Sequence, residues 1–258
     1  MTTAAVSAPE SGDSRRRRRH AQQPRHDWGR ALKAIRELIR DKENTAEVFA
    51  LFRALNGNSS ARGFMRLCET DEGGRIAYER PELWKRQLDK AWVASFPPGS
   101  VGAAYRAYLD TNHFTEQAFL EENHKGLSQA DWDPEHPYAW YERRIRDAHD
   151  VWHVLLGYDR DHLGEICLLN FAYQETHGIG RAFLVAAAWL RAHGPAAGQA
   201  RKAIAEAKRR GRHAAWLPGE DYEALMFEPL EDARRRLGLT PPVEYNKVAP
   251  TDRDLTVT

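Results

Sequence analysis

The sequence contains only two cysteines, Cys68 and Cys167, among its 258 residues. Two thiols can build neither a disulfide framework nor a cysteine-based zinc motif, so we expect a reducing compartment. Long apolar runs are missing as well. The longest candidate, residues 183–190, is far shorter than the roughly 20 residues that a membrane-spanning helix requires. The N-terminal residues lack the apolar core of a secretory signal, and we expect none.

A strong net charge is also absent, because 38 basic residues nearly balance 37 acidic ones. The net charge of +1 argues against a nucleic-acid-binding protein, and we expect no nucleic-acid partner. The charge is nevertheless uneven, with five consecutive arginines at residues 15–19. Residues 1–27 are too polar to bury a core, so we predict a disordered, Arg-rich arm. That arm is either a solvated tail or an electrostatic tether to anionic lipid or RNA.

Apolar residues recur at helical spacing after this arm. The first apolar face contains six residues: Trp28, Ala31, Leu32, Ile35, Leu38 and Ile39. Alternating runs of apolar and polar residues, which are typical of strands, are missing, so we expect no substantial sheet. The pattern predicts one all-α domain of roughly ten helices over residues 28–245, followed by a flexible tail over 246–258. Its central helices are expected at about 115–124, 138–156, 162–176 and 179–192.

One short segment concentrates groups that bind metal ions. His149 and His153 lie four residues apart, so on a helix their imidazoles share one face. Asp150 is three residues from His153 and borders the same patch. Glu165 follows His153 after a gap of eleven residues. Two imidazoles and two carboxylates are therefore available from one stretch of the chain.

The residues between these groups predict a hairpin of two helices. We expect the first helix to end near Gly157. Asp159 or Asp161 can cap the next helix, which carries Glu165 in its first turn. Antiparallel packing then brings Glu165 beside the His and Asp side chains. This ligand set suits Zn²⁺ and also Fe²⁺, Mn²⁺ or Mg²⁺, and two imidazoles favour the transition metals. The alternative is a buried ion-pair network that only fixes the hairpin.

Two familiar catalytic motifs fit the segment less well. The HExxH pattern of metalloproteases has glutamate in second place, and the shorter side chain of Asp150 would be poorly placed as a water-activating base. Phosphohydrolases of the HD type require a separate upstream histidine and a downstream aspartate. The sequence offers several such residues and singles out none of them: His113, His124, His136, Asp221 and Asp232.

The metal-binding segment resembles a known family signature. Its pattern HDxxHx11E is formed by His149, Asp150, His153 and Glu165. This pattern is similar to the signature of the coenzyme Q (ubiquinone) biosynthesis family of the Coq-four type. The segment PPGSVGAAYRAYLDTN resembles that family's PxGSLGxxYxxFLxxN segment, and residues 207–242 resemble its C-terminal region. The resemblance covers roughly residues 28–245.

The resemblance implies an all-helical protein that binds a divalent metal, with Zn²⁺ expected. The ligands and catalytic groups that it implies are His149, Asp150, His153 and Glu165. The implied activity is the metal-dependent decarboxylation of a polyprenylated hydroxybenzoate at C1, in an oxidative version with hydroxylation at the same carbon. The alternative is a non-catalytic scaffold that binds the prenyl lipid and organises the other ubiquinone biosynthesis enzymes.

The resemblance also implies a location and partners. We expect peripheral contact with a membrane, from the cytoplasmic side of an inner membrane or from the mitochondrial matrix side in a eukaryotic host. The expected partners are a polyprenylated aromatic lipid and other ubiquinone biosynthesis enzymes, and we expect a homo-oligomer. A basic cluster can hold anionic head groups at the mouth of the lipid pocket or form a solvated helix end: Lys208, Arg209, Arg210 and Arg212.

Overall fold

The computed structural model describes residues 26–40, 44–55, 57–113 and 136–254. Within these ranges the chain forms fifteen α-helices and two short 3₁₀ helices, with no named β-strand. The predicted all-α, single-domain fold class is therefore confirmed. In chain order the α-helices are α1 (Trp28–Arg40), α2 (Thr45–Leu55), α3 (Ser59–Leu67), α4 (Asp71–Glu79), α5 (Leu83–Leu88), α6 (Lys90–Ala94), α7 (Val101–Thr111), α8 (Pro137–Asp147), α9 (His149–Leu156), α10 (His162–Thr176), α11 (Ile179–Arg191), α12 (Ala197–His213), α13 (Tyr222–Leu225), α14 (Leu230–Arg236) and α15 (Val243–Asn246).

The helices outnumber the roughly ten predicted because several apolar patterns are divided. The pattern expected as one helix over 138–156 forms α8 and α9, which meet at Ala148. Asp89 similarly separates α5 from α6, because its carboxylate accepts hydrogen bonds from the backbone N–H groups of Ala91 and Trp92 and so starts a new helix. The helix expected at 115–124 lies outside the described residues.

The main hydrophobic core extends from α3 to α15, and α10 packs against α12 at its centre. Leu168 and Phe171 of α10 have no exposed surface. Gly211 of α12 permits the close approach of the two helices, because a Cβ atom there would lie 2.9 Å from the carbonyl oxygen of Phe171. Each Å² of apolar surface that is removed from water stabilises the fold by about 25 cal/mol. The buried side chains of α10 therefore hold this helix in the core.

A second, smaller cluster joins α1 and α2 to α11. Its buried members are small or aliphatic: Ala31, Ala34, Leu51, Ala54 and Leu55. Trp28 and Leu32 were predicted on the buried face of α1, yet both are about half exposed. The reason is geometric, since α1 buries Ala31 and Ala34 in this cluster, with Ile35 and Leu38 packed partly against it, and leaves Trp28 and Leu32 toward the outside.

The segments predicted at the two termini are described only in part. Residues 1–25 of the predicted arm and 255–258 of the predicted tail lie outside the described ranges, so both boundaries stay predictions. Within the predicted tail, Arg253 is buried and donates to the carboxylate of Asp159 at 2.9 Å. Its carbonyl oxygen accepts from the backbone N–H of Leu163 at 3.1 Å. None of the helices in the described ranges has the length and apolar character needed to cross a bilayer.

Candidate metal centre

Helices α9 and α10 bring three of the four predicted ligands together. His149 and His153 lie one turn apart on α9, with their ring centroids 4.8 Å apart. Glu165 projects from the first turn of α10 toward both rings. One ligand atom from each of these residues lies within 4.8 Å of the other two. The predicted hairpin therefore has the geometry needed to converge three donors on one point.

The turn between the two helices follows the sequence expectation closely. Gly157 adopts a left-handed conformation with φ of 73°, and its N–H bonds to the carbonyl of His153, which ends α9. Asp161 caps α10 by accepting from the N–H of Gly164 at 2.8 Å. Gly164 is required here, because a Cβ atom would lie 2.0 Å from the carbonyl oxygen of Asp159. Of the two predicted caps, Asp161 is the one that the structure uses.

Both distances from the carboxylate of Glu165 to the imidazole nitrogens are close to those between ligands of a bound cation. His149 Nε2 lies 3.5 Å from Glu165 Oε2, and His153 Nε2 lies 3.3 Å from Glu165 Oε1. Ligands about 2.0–2.1 Å from a tetrahedral Zn²⁺ are separated by about 3.3 Å. The three side chains can therefore hold a metal ion after only small adjustments.

The tautomer of His153 supports this interpretation. Its Nδ1 lies 3.0 Å from the carbonyl oxygen of Tyr158, which accepts only, so Nδ1 carries the hydrogen. The other ring nitrogen, Nε2, then faces the carboxylate of Glu165 at 3.3 Å. That Nε2 is fully buried and lacks a hydrogen-bond partner among the described residues. Two acceptors facing each other in a buried place require a cation or a proton between them.

Asp150 takes a different position from the other three residues. Its Oδ1 lies 3.4 Å from Nδ1 of His149, on the ring nitrogen opposite to the one that faces Glu165. A carboxylate in this position orients the imidazole and raises its basicity as a ligand. A direct bond from Asp150 to the metal, which the signature implies, therefore stays a prediction.

The electrostatics of the centre favour a positive charge. Burial alone would lower the pKa of His149, but the carboxylates of Asp150 and Glu165 raise it to about 10. Burial would likewise raise the pKa of Glu165, but the two imidazoles lower it below its ordinary value. The first turn of α10 also favours this carboxylate through the helix dipole. The site therefore keeps Glu165 ionised and attracts a cation.

Two arginines hold the end of α9 that follows the ligands. Arg234 donates to the carbonyl oxygens of Leu155 at 3.0 Å and Val154 at 2.8 Å. Arg210 donates to that of Leu156 at 2.8 Å. Because the last carbonyls of a helix have no partner within it, these bonds fix the end of the helix. Arg210 is thus buried in the fold, which differs from its predicted place in a head-group cluster.

Sequence reasoning also missed two tyrosines beside the centre. The ring of Tyr108 stacks on that of His153, with centroids 5.6 Å apart and planes at 21°. Tyr105, three residues earlier on α7, is fully buried. The signal that could have found them is the segment GSVGAAYRAYLD, which resembles a family motif and carries both residues.

The residues that an HD-type phosphohydrolase would need are occupied elsewhere. Asp221 caps α13 and pairs with Arg75 at 2.6 Å. Asp232 pairs with Arg235 at 2.8 Å on the exposed face of α14. His136 caps α8, and His124 lies outside the described residues. His113, at the end of α7, is exposed, and the described candidates do not join the three residues of the centre.

Comparisons with known proteins agree with the signature. A family model described as "Coenzyme Q (ubiquinone) biosynthesis protein Coq4" matches residues 33–243. Similar proteins include the mitochondrial ubiquinone biosynthesis protein COQ4 homologs of Bos taurus and Xenopus tropicalis. The Bos taurus protein is 30% identical over 66% of this chain and 62% of its own length. The Xenopus tropicalis protein is 28% identical over 67% of this chain and 59% of its own length. The chain thus spans less than two thirds of these relatives.

The fold has a counterpart among solved structures. A crystal structure of a Nostoc punctiforme protein, whose name associates it with ubiquinone biosynthesis, superimposes with a TM-score of 0.61. The superposition covers 83% of this chain and 99% of the Nostoc punctiforme chain. At 20% sequence identity, the likeness concerns the fold alone. The family match extends over most of the described helices and includes both helices of the candidate metal centre. The chain therefore belongs to the Coq4 family of coenzyme Q (ubiquinone) biosynthesis proteins.

Proposed function

We propose that this protein carries out the metal-dependent decarboxylation of a polyprenylated hydroxybenzoate at C1. The observation that carries the proposal is the convergence of His149, His153 and Glu165, with one ligand atom of each within 4.8 Å of the other two. The buried Nε2 of His153 faces the carboxylate of Glu165 at 3.3 Å. Such a pair is built to share a cation. Three protein donors at the site also leave coordination positions for a substrate oxygen, which is the arrangement typical of catalytic metal sites.

The side chains around the site have different roles in this reaction. When bound, the cation supplies Lewis-acid stabilisation of negative charge on the phenol and carboxylate oxygens of the ring. His149, His153 and Glu165 hold it, and Asp150 orients His149 through Nδ1. Tyr108 covers the ring of His153 and limits the access of water to it. In a dry site of this kind, fixed charges stabilise the charge that develops as CO₂ leaves.

The donor set restricts the choice of metal. Two imidazoles and one carboxylate suit Zn²⁺ and the other first-row transition metals better than Mg²⁺. We propose Zn²⁺ for simple decarboxylation. Fe²⁺ or Mn²⁺ would be needed if the metal also takes part in hydroxylation at C1, because Zn²⁺ has no redox chemistry.

The proposal is tested with the full chain, stripped by a chelator and reloaded with Zn²⁺, Fe²⁺ or Mn²⁺. A hydroxybenzoate with a short prenyl chain is supplied in detergent micelles, with and without dioxygen. We expect release of CO₂ from C1 only with metal bound, loss of this release in Glu165→Gln, and its retention in the control Glu175→Gln. Equal turnover by the metal-free protein would contradict the proposal.

An exposed apolar surface supports peripheral contact with a membrane. This surface, formed by α1 and α11, contains Trp28, Leu32, Phe183, Trp189 and Leu190. The rings of Trp28 and Phe183 meet edge to face at 5.8 Å, so the surface is continuous across the two helices. The same two helices carry exposed basic residues, including Lys33, Arg36 and Arg191. Apolar side chains with a basic rim are typical of helices that lie on anionic membranes.

Vesicle flotation tests this membrane contact. The double variant Trp189→Ser/Leu190→Ser should bind anionic phospholipid vesicles at least about tenfold more weakly than the wild type, because two buried apolar groups are lost from the interface. The matched control is Tyr78→Ser, which removes an aromatic ring that is 89% exposed on α4. Equal loss in both variants would contradict the assignment of this surface.

The scaffold function is the second candidate, and the same exposed surface favours it. A scaffold would bind the prenyl lipid and present it to partner enzymes without releasing CO₂. It predicts co-purification of a prenylated aromatic lipid, unchanged by Glu165→Gln, together with no turnover in any metal-loaded form. Mass spectrometry of the bound lipid and the CO₂ assay therefore separate the two candidates.

A further inference from the structure

Helix α7 presents two tyrosines to the metal-binding helix α9. Tyr105 and Tyr108 are three residues apart and therefore lie on one face of α7. That helix is well anchored: Ser100 caps it, and the N–H of Gly102 bonds to the carbonyl of Met226 at 2.8 Å. The ring of Tyr108 rests on His153, as described above. The two phenol rings are therefore held in place beside the centre.

Both hydroxyl groups are buried and have no hydrogen-bond partner among the described residues. A buried hydroxyl without a partner destabilises the protein, so such groups are rare unless they serve a ligand or a bound water. Two of them on one helix face, next to a candidate metal centre, are harder to explain by packing alone. The phenylalanine ring would fill the same space without this penalty.

The surroundings determine what these hydroxyl groups can do. Burial, followed by the negative charge of Asp150, raises the pKa of both tyrosines far above the ordinary value. The charge of Glu165 acts on Tyr108 in the same direction. A phenol hydroxyl donates one hydrogen bond, so the two buried hydroxyl groups offer two donors beside the centre. None of the described residues, the carboxylates of the centre included, accepts a hydrogen bond from either hydroxyl group, so both donors are available to a ligand.

We propose that the hydroxyl groups of Tyr105 and Tyr108 form a donor pair that binds one carboxylate oxygen of an aromatic carboxylate held at the metal centre. The inference rests on the proposed function for its ligand class. A carboxylate has two oxygens, and a metal that takes one leaves the other in need of donors in a dry site. The pair supplies these donors, and it distinguishes an aromatic carboxylate from a simple phenol.

The test measures binding by the full chain loaded with Zn²⁺. The probe is 4-hydroxybenzoate, and the comparison probe is 4-methylphenol, which lacks the carboxylate. The variants are Tyr105→Phe, Tyr108→Phe and the double variant. The matched control is Tyr141→Phe, a buried tyrosine on α8 that packs against Gly63 of α3.

We expect each of the two α7 variants to bind 4-hydroxybenzoate about tenfold more weakly, as the loss of one charge-assisted hydrogen bond predicts. Binding of 4-methylphenol and of Zn²⁺ should change less than about twofold. Without the probe, both variants should melt at or above the wild-type temperature, because each loses an unsatisfied hydroxyl. Tyr141→Phe should leave the binding of both probes unchanged.

Unchanged affinity for 4-hydroxybenzoate in the double variant would overturn the inference, as would a lower melting temperature of both ligand-free α7 variants. The inference and the proposed function fail separately. If the wild type releases CO₂ but the variants bind the probe normally, only the donor pair is wrong. If the variants lose probe binding but no wild-type protein releases CO₂, the donor pair stands and the decarboxylation is wrong.

Discussion

The two ends of helix α10 carry carboxylates in opposite states. Glu165 in the first turn faces two imidazoles, and its pKa is lowered. Glu175 in the last turn is 6% exposed, and burial raises its pKa to about 8. Its Oε2 accepts from the backbone N–H of Leu217 at 3.2 Å, which offsets only part of this effect. The same side chain is thus kept ionised at one end and neutral at the other.

The difference shows what distinguishes a binding site from ordinary burial. Both carboxylates belong to one helix, and both lose at least part of their contact with water. Only Glu165 has nitrogen ligands opposite it and the positive end of the helix dipole behind it. Glu175 lies at the unfavourable end of the dipole and serves the fold by bonding to the segment after α12. Burial alone therefore does not identify the functional residue; the chemistry of its neighbours does.

The largest effect is expected from Glu165→Gln. The amide keeps the shape of the side chain but loses the negative charge that the cation requires, so affinity for Zn²⁺ should fall by more than about 100-fold. Glu175→Gln is the matched control on the same helix and should change the affinity less than about twofold. A competition titration with a chromogenic chelator measures both. Equal losses of Zn²⁺ affinity in the two variants would show that Glu165 and Glu175 do not differ in function.

The second prediction concerns the pH dependence of stability. The pKa of Glu175 in the folded protein is about 8, above its unfolded value of about 4.3. Stability from this group is therefore complete below about pH 4 and is lost as the pH rises through about 8, with a slope of up to about 1.4 kcal/mol per pH unit. Glu175→Gln should flatten this slope in urea unfolding measured from pH 5 to 8. The control Glu231→Gln changes an exposed side chain and should leave the slope of stability against pH unchanged.

The third prediction concerns the C-terminal end of α9, which follows the candidate ligands in the chain. Arg234→Ala leaves the carbonyls of Val154 and Leu155 without donors, so the free energy of unfolding should fall by about 2 kcal/mol. Arg235→Ala removes a neighbouring arginine that pairs with Asp232 on the exposed face of the helix. This substitution should lower the free energy of unfolding by less than about 0.5 kcal/mol. Equal losses in the two variants would show that the caps on α9 do not stabilise it.

The smallest effect is expected from Asp150→Asn. If Asp150 only orients His149, as its distance of 3.4 Å from Nδ1 suggests, affinity for Zn²⁺ should fall about tenfold. The same chelator competition measures it. A fall as large as that in Glu165→Gln would instead show that Asp150 bonds to the metal directly.

Much of the site could be predicted from local pattern. The four-residue spacing of His149 and His153, the helix end at Gly157 and the cap at Asp161 all depend on residues close together in the chain, where helix geometry determines neighbours. The division of the long central helix at Ala148 was not predictable in this way, because apolar spacing continues through it. The exposure of Trp28 and Leu32 was missed because periodicity identifies an apolar face without showing how much of it a neighbour covers.

The sequence by itself determined the helical class, the candidate metal-binding groups and the two helices that carry them, because these follow from spacing within one or two helical turns. Only the tertiary structure decided the tautomer of His153, the position of Asp150 behind its neighbour and the presence of Tyr105 and Tyr108 at the centre. It also placed Arg234 on a carbonyl 80 residues away in the chain. Such contacts depend on how separate helices pack, and no local periodicity carries that information.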